Sequence, residues 1–578
     1  HVGWWLVGGG RAALEAEVGF RARPRTALRR WVYAHAGLCY GAAMLGFGLA
    51  AMVLPVAILT MLHAGPAAWA IGMLLSLMPA SIIGVTLTNW ITTQSIPPRV
   101  LPKLDFKDGL PEGRAAAIVV PVIFRAAHEV QPLLDQLESH WLTNHDPRLR
   151  FALLSDPADA ASEEMPQDKS VEAALVDGIG RLNARYPDNA PFAMLHRRRL
   201  WNAGEGVWMG WERKRGKLEE FNAFLAGKAE DAFPVRAGDV EGLRRAGHVV
   251  TLDADTVVPP GAVKRLLGAL CHPLNQVAFD ASGERVLDGY TFIQPRIEIS
   301  PEAGGTSLFS RLFTGDTAID IYSRAVSDVY QDLFGEGIFT GKGAYDAAAF
   351  RQCLAGRVPE NALVSHDLFE GLHGRAALAS DIVFYEGFPS SYPEYARRWH
   401  RWIRGDWQLL PWLGGRVPGR GGVRLKNPLG ALDRWKIIDN LRRSLIPPAL
   451  VLLAVIGWLA LPGEALVWTV LTVAAPGAYL LTDVIAGFTR GHRRGAVQDR
   501  MRKLADHAGR WALAVVFMAN ESLVALDAIL RACWRMAVSH RRMLEWATAA
   551  HVAASARGGR AHVWAEMAGA PALSLAIG

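Results

Sequence analysis

The sequence has 578 residues, of which 51% are hydrophobic, and its mean hydropathy is +0.13. This length accommodates two or more domains, and this hydropathy is high for a soluble enzyme. The formal net charge is +7, but no DNA- or RNA-binding motif accompanies it and many arginines flank apolar segments, so no nucleic-acid partner is expected. The four cysteines lie far apart, which is typical of reduced thiols in a cytosolic or membrane setting.

The N-terminal part of the chain has the pattern of a membrane hairpin. Residues 1–30 are polar and basic, and no Asp, Glu, Lys or Arg then follows before Arg99. A turn signal, His63–Pro66, divides this uncharged run into two segments, Leu38–Met61 and Ala67–Trp90, each longer than the ~20 residues that cross a bilayer. The alternative is a buried helix pair of a soluble protein, but such helices carry charges on a solvent-facing side. We therefore predict a cytoplasmic segment over 1–30 and two transmembrane helices within 31–98.

Basic residues on both sides of the hairpin predict its orientation. Arg29 and Arg30 precede it, and Arg99 and Lys103 follow it. Positive charges accumulate on the cytoplasmic side of membrane helices, so we expect residues 115–397 to be cytoplasmic.

Strand and helix patterns alternate from residue 115 to residue 397. The predicted strands are Ala115–Phe124, Arg150–Asp156, Phe192–His196 and Val249–Leu252, and the predicted helices include Leu133–Leu142 and Lys217–Leu225. This alternation predicts an α/β domain over 99–410 with a Rossmann-like, mostly parallel sheet covered by helices. Ligands of such sheets bind beyond the carboxyl ends of the strands, which is where Asp156 and Asp253 lie.

The C-terminal part returns to the membrane pattern. A basic linker, 411–443, precedes two predicted transmembrane segments within 444–488, Ser444–Leu461 and Leu466–Phe488. A basic cytoplasmic loop is predicted over 489–510. Polar residues fall on one face of Trp511–Arg535, so 511–550 is predicted to be an amphipathic helix lying in the membrane surface rather than a span. The tail, 551–578, receives no assignment.

Two carboxylates, Asp253 and Asp255, follow the strand Val249–Leu252 and are separated by one residue. Side chains alternate along a strand, so both acids can point the same way. Hard cations bind such carboxylates together with substrate phosphates, and the pair predicts a site for Mg²⁺ or Mn²⁺. A turn that is merely rich in Asp is the alternative reading of this short motif alone.

Two further features follow in chain order. Asp367 directly precedes a predicted helix that begins at Leu368, and the segment from Arg397 to Gln408 is rich in Arg and Trp. With Asp156, Asp253 and Asp255, this order resembles the D, DxD, TED and QxxRW motifs of processive, inverting family 2 glycosyltransferases. Three longer segments resemble the cyclic β-1,2-glucan synthases more closely: Glu205–Lys217, Val326–Gly337 and His400–Gln408. The sequence departs from the motifs at His366, in Ser-His-Asp, and at Arg398, where Gln is usual.

The resemblance implies a GT-A-like domain flanked by transmembrane helices in a bacterial inner membrane. It also implies UDP-glucose as donor, a β-glucan as acceptor, the lipid bilayer as surroundings, and a contact between Asp156 and the uracil. Longer members carry glycosidase-like domains, and because this sequence begins with His1 we expect it to be an excerpt of such a chain. Two alternatives stay open: a synthase of a β-1,3- or β-1,4-glucan, and a membrane protein that only binds a nucleotide sugar.

The chemistry of sugar transfer suggests a role for each candidate residue. A base must take the acceptor's proton, and Asp367 is our candidate, with a simple helix cap as the alternative. Positive charge must stabilise the departing diphosphate, which suggests Lys217 and Arg401, although the basic cluster around Lys217 also suits a solvated face. Trp402 can pack on a sugar face, and Glu336 is a candidate acceptor contact. Arg398 and Arg404 complete the motif, whose alternative is a basic amphipathic helix at the bilayer surface.

Overall fold

The structure is a computed structural model that describes residues 2–6, 10–314, 328–480, 482, 485, 496–546, 564 and 567–572. Several sequence predictions extend outside these residues. They are the end of the apolar segment Leu466–Phe488, the first part of the basic loop 489–510, the start of the segment Val326–Gly337, and most of the tail.

The N-terminal region is helical and leads into a tightly packed hairpin. Its helices are α1 (Val2–Leu6), α2 (Arg11–Glu17), α3 (Pro24–Ala34), α4 (Ala36–Met61) and α5 (Pro66–Ser95). The backbones of α4 and α5 approach closely at Gly84, where a Cβ atom would lie 2.8 Å from the Met44 carbonyl oxygen. Small residues permit this approach between apolar helices. The two predicted N-terminal spans fall within α4 and α5.

An eight-stranded sheet forms the centre of the region that follows. Its strands are β1 (Ala116–Phe124), β2 (Leu149–Pro157), β3 (Phe192–His196), β6 (Val235–Gly238), β7 (His248–Thr251), β10 (Phe292–Ile299), β11 (Gly343–Asp346) and β12 (Ala376–Glu386). Their order is β12-β10-β11-β7-β1-β2-β3-β6. The pairs β1–β2, β1–β7, β2–β3 and β10–β12 are parallel, whereas β3–β6, β7–β11 and β10–β11 are antiparallel. The predicted mostly parallel, GT-A-like sheet is confirmed.

Short hairpins stand apart from this sheet. They pair β4 (Leu200–Asn202) with β5 (Val207–Met209), β8 (Ala278–Phe279) with β9 (Val286–Asp288), and β13 (Arg416–Pro418) with β14 (Arg424–Lys426).

Helices cover both faces of the sheet because its buried strands are apolar on both sides. They are α6 (Val130–Asn144), α7 (Asp168–Arg185), α8 (Arg213–Leu225), α9 (Val240–Arg244), α10 (Ala262–Leu270), α11 (Pro301–Gly304), α12 (Leu308–Thr314), α13 (Ala347–Leu354), α14 (Asp367–Gly374) and α15 (Tyr392–Gln408). Within β1, Ile118 packs in the same core as Leu137 of α6, and the neighbouring Val119 packs in the opposite core with Phe221 of α8. The result is a helix–sheet–helix arrangement.

The last helices are α16 (Ala431–Leu459), α17 (Ala465–Ala474) and α18 (Ala496–Trp534). Four helical segments in the described part of the chain are long and apolar enough to cross a membrane: Ala36–Met61, Pro66–Ser95, Ala431–Leu459 and Leu504–Ser539. The apolar helix Ala465–Leu480 is shorter. The predicted span Ser444–Leu461 therefore forms the second half of a helix whose first half, with Ile437 buried against Leu368, belongs to the sheet domain.

The contacts of α18 bear on its predicted place in the membrane surface. Near its start Arg510 donates to the Leu312 carbonyl at 2.7 Å, and further on Asn520 accepts from the Tyr392 hydroxyl at 3.0 Å. Later still, Asp527 lies 2.9 Å from His400. These partners belong to the sheet domain, so α18 follows that domain along much of its length. Helix α18 also packs on the apolar helices, since Met518 lies in one cluster with Leu450 of α16 and Trp511 donates to the Val473 carbonyl at 2.7 Å. Its contacts are thus shared between the sheet domain and the apolar helices, its length and composition permit a span, and the surface assignment stays a prediction.

Two leucines of α6 test the assigned core through their effects on the free energy of unfolding. Leu137 and Leu142 both lie on α6, but Leu137 is fully buried and Leu142 is 56% exposed. We expect Leu137→Ala to destabilise the folded domain by about 2–5 kcal/mol, because it leaves a cavity under the sheet. Leu142→Ala should change stability by less than about 0.5 kcal/mol. Unfolding of the two variants in detergent is the measurement, and equal midpoints would contradict the assigned core.

Candidate active site

Asp253 lies just beyond β7 and is held by two lysines. Lys214 Nζ contacts Asp253 Oδ1 at 2.6 Å, and Lys342 Nζ contacts Oδ2 at 3.1 Å. Burial opposes ionisation of Asp253, but the two ammonium groups outweigh it and lower the pKa of this carboxyl. Lys342 also pairs with Glu386 at the end of β12, and these two acids raise the pKa of Lys342 against the effect of burial. The site therefore fixes an ionised Asp253 between two cations.

Asp367 reaches the same place from α14. It is the first residue of that helix, and its carboxylate lies against Gly341, where a Cβ atom would come within 2.3 Å of Asp367 Oδ1. Lys214 donates to the Gly341 carbonyl at 3.1 Å, and its charge interacts with both Asp253 and Asp367. Asp367 Oδ1 accepts no hydrogen bond from the described residues. Asp253 and Asp367, separated by more than a hundred residues, thus face one ammonium group.

A buried pair stands behind Asp367. His366 Nδ1 lies 2.8 Å from Glu370 Oε1 and 3.5 Å from Asp367 Oδ1. Burial disfavours the imidazolium, but Glu370 and Asp367 outweigh burial and raise the pKa of His366. The ligand-type atoms of these three residues lie within 4.8 Å of one another, a spacing that could hold a metal ion. In this structure His366 and Glu370 bind each other, and their pair lies beside the Asp367 carboxylate.

Asp156 lies at the end of β2 in a buried ion network and is 2% exposed. Arg197 binds it with two hydrogen bonds, Nε to Oδ1 at 2.6 Å and Nη2 to Oδ2 at 2.9 Å. Lys217 Nζ lies 3.0 Å from Asp156 Oδ2 and donates to the Val122 carbonyl at 2.5 Å. Burial lowers the pKa of Lys217 to about 8, against the effect of Asp156.

The network places Lys217 differently from our expectation. We expected Lys217 to reach the phosphates held at Asp253, but its ammonium lies on Asp156, while Lys214 and Lys342 reach Asp253. The phosphate role of Lys217 and the uracil contact of Asp156 stay predictions, and in this structure the two residues bind each other.

The start of α8 explains why Lys214 reaches the site. Glu212 and Arg213 are two consecutive non-glycine residues with left-handed backbone, at φ 50° and 53°. Such residues store strain that the surroundings must hold in place. Glu212 is buried, pairs with Arg215 at 2.8 Å and accepts a hydrogen bond from the Asn361 backbone. These contacts hold a turn that directs Lys214 to Asp253.

Helix α15 brings the predicted Arg and Trp residues together. The Arg398 guanidinium lies 4.9 Å over the Trp402 ring, and its charge interacts with Lys342 and Glu386. Arg401 makes no hydrogen bond or close ion pair with the described residues, and its charge interacts with Asp253 and Asp367. Burial and the neighbouring Arg398 lower the pKa of Arg401 to about 10. A guanidinium beside these carboxylates is available to bind an anion.

Arg404 has a different position from Arg401. It is buried, donates to the Glu545 carbonyl at 2.8 Å and lies 3.5 Å from the Glu545 carboxylate, so its guanidinium contacts the segment after α18. Trp402 is 38% exposed, as a sugar platform requires. Glu336 lies 3.2 Å from Arg375 and 3.6 Å from Lys436 of α16, and its acceptor role stays a prediction.

The segment after α18 returns to the site, and we call residues 540–546 the C-terminal strap. Leu544 donates its backbone N–H to Glu205 at 2.8 Å, and its carbonyl accepts from Arg213 Nε at 2.6 Å. The Met543 carbonyl accepts from Gln408 at 2.9 Å. Trp546 packs on Arg401, with the guanidinium 5.5 Å from the ring centre. The strap therefore ties the beginning of α8 to the end of α15 across the site.

The acids near β7 offer ligands for a cation. Asp255 is exposed, and its Oδ2 lies 3.4 Å from a Cβ position built on Gly387. The charge of Glu386 interacts with both Asp253 and Asp255. Carboxylate oxygens are the ligands that Mg²⁺ and Mn²⁺ prefer, so this donor set fits the predicted metal. The described residues thus bring together carboxylates, two ammonium groups and a guanidinium whose charges interact, which are the groups that a base, a cation site and an anion site require.

Sequence reasoning missed Lys342, Glu386 and Arg197. Lys342 has a signal in hindsight, since it is a charged residue between Gly341 and Gly343 immediately before a buried strand. Glu386 ends a long apolar strand, which is the same signal that identified Asp253. Arg197 has no comparable signal, because the segment it belongs to is basic throughout.

Comparisons with known proteins agree with this arrangement. The sequence model of the family described as Glycosyl transferase family group 2 matches residues 248–481, which include Asp253, Asp367 and Arg401. The chain is 39% identical over 584 residues to the cyclic beta-(1,2)-glucan synthase NdvB of Rhizobium meliloti (strain 1021). The alignment covers 100% of this chain and 20% of NdvB, so the chain spans about one fifth of its relative. The resemblance inferred from the sequence is confirmed.

Gly341 offers a test of how the site is built. A methyl group there would displace the Asp367 carboxylate, and the backbone φ of 81° is unfavourable for alanine. We expect Gly341→Ala to reduce sugar transfer by about a hundredfold, because a misplaced catalytic group costs about that much. Gly421→Ala is the matched control, since Gly421 has φ 71° and open space around it. Equal transfer rates in the two variants would contradict the assigned position of Asp367.

Proposed function

We propose that this chain is a glycosyltransferase that extends a β-1,2-glucan with glucose from UDP-glucose, because residues 248–481 match a family 2 glycosyltransferase model and the chain has helices able to span a membrane. The observation that carries the proposal is the meeting of Asp253, Asp367 and Arg401, which provide a metal ligand, a base and an anion site. The similarity to a cyclic beta-(1,2)-glucan synthase over the whole chain supports the choice of product.

We propose inversion at the anomeric carbon, with Asp367 as base. The acceptor hydroxyl attacks that carbon, the new glycosidic bond forms, and the bond to the diphosphate breaks with its electron pair. Asp367 takes the proton of the attacking hydroxyl. Its Oδ1 atom is buried and has no hydrogen-bond partner among the described residues, and the His366–Glu370 pair lies beside it.

The departing diphosphate needs positive charge. Asp253 and Asp255 would hold Mg²⁺ or Mn²⁺, which when bound supplies Lewis-acid stabilisation of the leaving group. Arg401 binds the phosphate oxygens from α15, and Trp402 packs on the sugar, with Glu336 nearer to the acceptor. Asp156 and Lys217 form the wall of the site on the side of the nucleotide, supported by their position at the end of β2.

We also place the domain in the cytoplasm of a bacterial-type cell, attached to the inner membrane by α4, α5 and the two predicted spans within 444–488, the first of which lies mostly in α16. The donor nucleotide is a cytoplasmic metabolite, and basic residues flank the hairpin. In the longer parent chain that we propose, glycosidase-like domains act on the glucan that this region makes.

Labelled-sugar incorporation tests the function. We expect the purified protein to transfer labelled glucose from UDP-glucose to a glucan acceptor, and linkage analysis to find β-1,2 bonds. Asp367→Asn should retain UDP binding and lose transfer by about 10²–10⁴-fold, the usual contribution of general base catalysis. Near-normal turnover of this variant would eliminate Asp367 as the base, and a β-1,3 or β-1,4 product would contradict the proposed polymer.

Cysteine labelling tests the orientation. Gly65, in the turn between α4 and α5, and Ser282, in the sheet domain, are both exposed. In a protein otherwise free of cysteine, an impermeant maleimide added to intact spheroplasts should label Gly65→Cys and leave Ser282→Cys unlabelled until lysis. The reverse pattern would show that the domain faces outward.

A further inference from the structure

Lys342 has an unusual position among the charged groups of the site. It is 7% exposed and lies between two acids, with its ammonium 3.1 Å from Asp253 Oδ2 and paired with Glu386 on its other side. The flanking glycines, at φ 81° and 148°, adopt backbone conformations that other residues avoid. The chain thus brings a buried ammonium to this place through a constrained backbone.

The two lysines occupy the oxygens that a metal ion would need. Lys214 lies on Asp253 Oδ1 and Lys342 lies on Oδ2, so each carboxylate oxygen already has a cation. A divalent cation binds the same oxygens and competes with the ammonium groups for them. A divalent cation at Asp253 would stand close to both ammonium groups, and repulsion between these like charges favours the departure of one ammonium from Asp253.

The surroundings indicate which lysine moves. Lys214 has two further partners, the Gly341 carbonyl at 3.1 Å and the charge of Asp367. Lys342 is also paired with Glu386, and this ion pair can persist while the ammonium group rotates away from Asp253. A lysine suits this movement, because its ammonium has three rotatable donors on a flexible stem.

We propose that Lys342 is a diphosphate-binding residue that occupies Asp253 until a divalent cation replaces it, and then turns its ammonium to the phosphate oxygens of the donor. This inference rests on the proposed function, since it requires a nucleotide diphosphate at the site. The exchange keeps the charges balanced. The cation replaces Lys342 as the partner of Asp253, and the diphosphate bound to that cation replaces Asp253 as the partner of Lys342. Without the diphosphate, an ammonium released from Asp253 would stay buried with Glu386 as its one remaining acidic partner, and losing one of its two compensating charges is costly.

The proposal predicts changes of opposite sign in two binding measurements. In Lys342→Gln, Mn²⁺ alone should bind about tenfold more tightly than in the unaltered protein, because a charge-assisted competitor is gone. UDP at saturating Mn²⁺ should bind about tenfold more weakly, because a phosphate ligand is gone. Electron paramagnetic resonance measures free Mn²⁺, and calorimetry measures UDP binding, so neither depends on turnover.

Three further variants complete the experiment. Lys228→Gln removes an exposed lysine of the same domain and should change neither affinity. Lys342→Arg keeps the charge and should retain more UDP affinity than Lys342→Gln. The double variant Lys342→Gln with Glu386→Gln removes both buried charges together, and it replaces the single variant if that one fails to fold.

The outcomes distinguish a failure of the inference about Lys342 from a failure of the proposed function. If Lys342→Gln binds Mn²⁺ and UDP as the unaltered protein does, or if both affinities change in the same direction, the inference is overturned and the proposed function stands. If the unaltered protein binds Mn²⁺ but no UDP, the proposed function is contradicted, and the diphosphate role of Lys342 with it.

Discussion

All five N–H groups of the Arg197 guanidinium are used in one buried network. Nε and Nη2 bind Asp156, Nη2 also donates to the Arg213 carbonyl at 3.0 Å, and Nη1 donates to Glu220 at 2.6 Å and to the Trp211 carbonyl at 2.9 Å. Removing one partner of such a buried pair typically costs about 3–5 kcal/mol, because a charge is left uncompensated. The network joins the ends of β2 and β3 to the strained turn before α8. That turn directs Lys214 to Asp253, so the charge arrangement at the proposed metal site depends on the Arg197 guanidinium, which contacts neither Lys214 nor Asp253 in the hydrogen bonds given above.

The catalytic domain and the membrane helices share structural elements. Helix α16 begins in the core of the sheet domain and continues as a membrane-competent helix, and its Lys436 donates to the Gly337 carbonyl at 3.2 Å. Helix α18 follows α15, the helix that carries Arg398 and Arg401. Helix α15, which carries the residues proposed to bind donor and acceptor, therefore packs against helices that are long and apolar enough to cross a membrane. Under the proposed function, this packing places the site beside the membrane helices.

Much of the fold could be predicted from the sequence, because the spacing of hydrophobic residues along the chain determines where strands and helices form. Strands β1, β2 and β3 were expected within a residue of their observed ends, and the shared edge of parallel strands brings Asp156 and Asp253 to one side of the sheet. The meeting of Asp253, Asp367 and Arg401 was expected from motif order. The sequence did not predict which lysines contact Asp253, because two left-handed residues before α8 set the direction of Lys214. Nor did it predict the strap, whose Leu544 binds Arg213 across 331 residues, since local pattern carries no information about such a contact.

The strap has a consequence for biosynthesis. Glu205, Arg213 and Arg404 all depend on backbone groups of Leu544 and Glu545, which a ribosome adds long after the sheet domain is made. Domains generally fold as units in N-to-C order during synthesis. The sheet can therefore form while the nascent chain is still being inserted, but its ligand-binding surface stays unfinished until residue 546 has emerged. Under the proposed function, this order would delay the consumption of nucleotide sugar until the helices that precede residue 546 have been made.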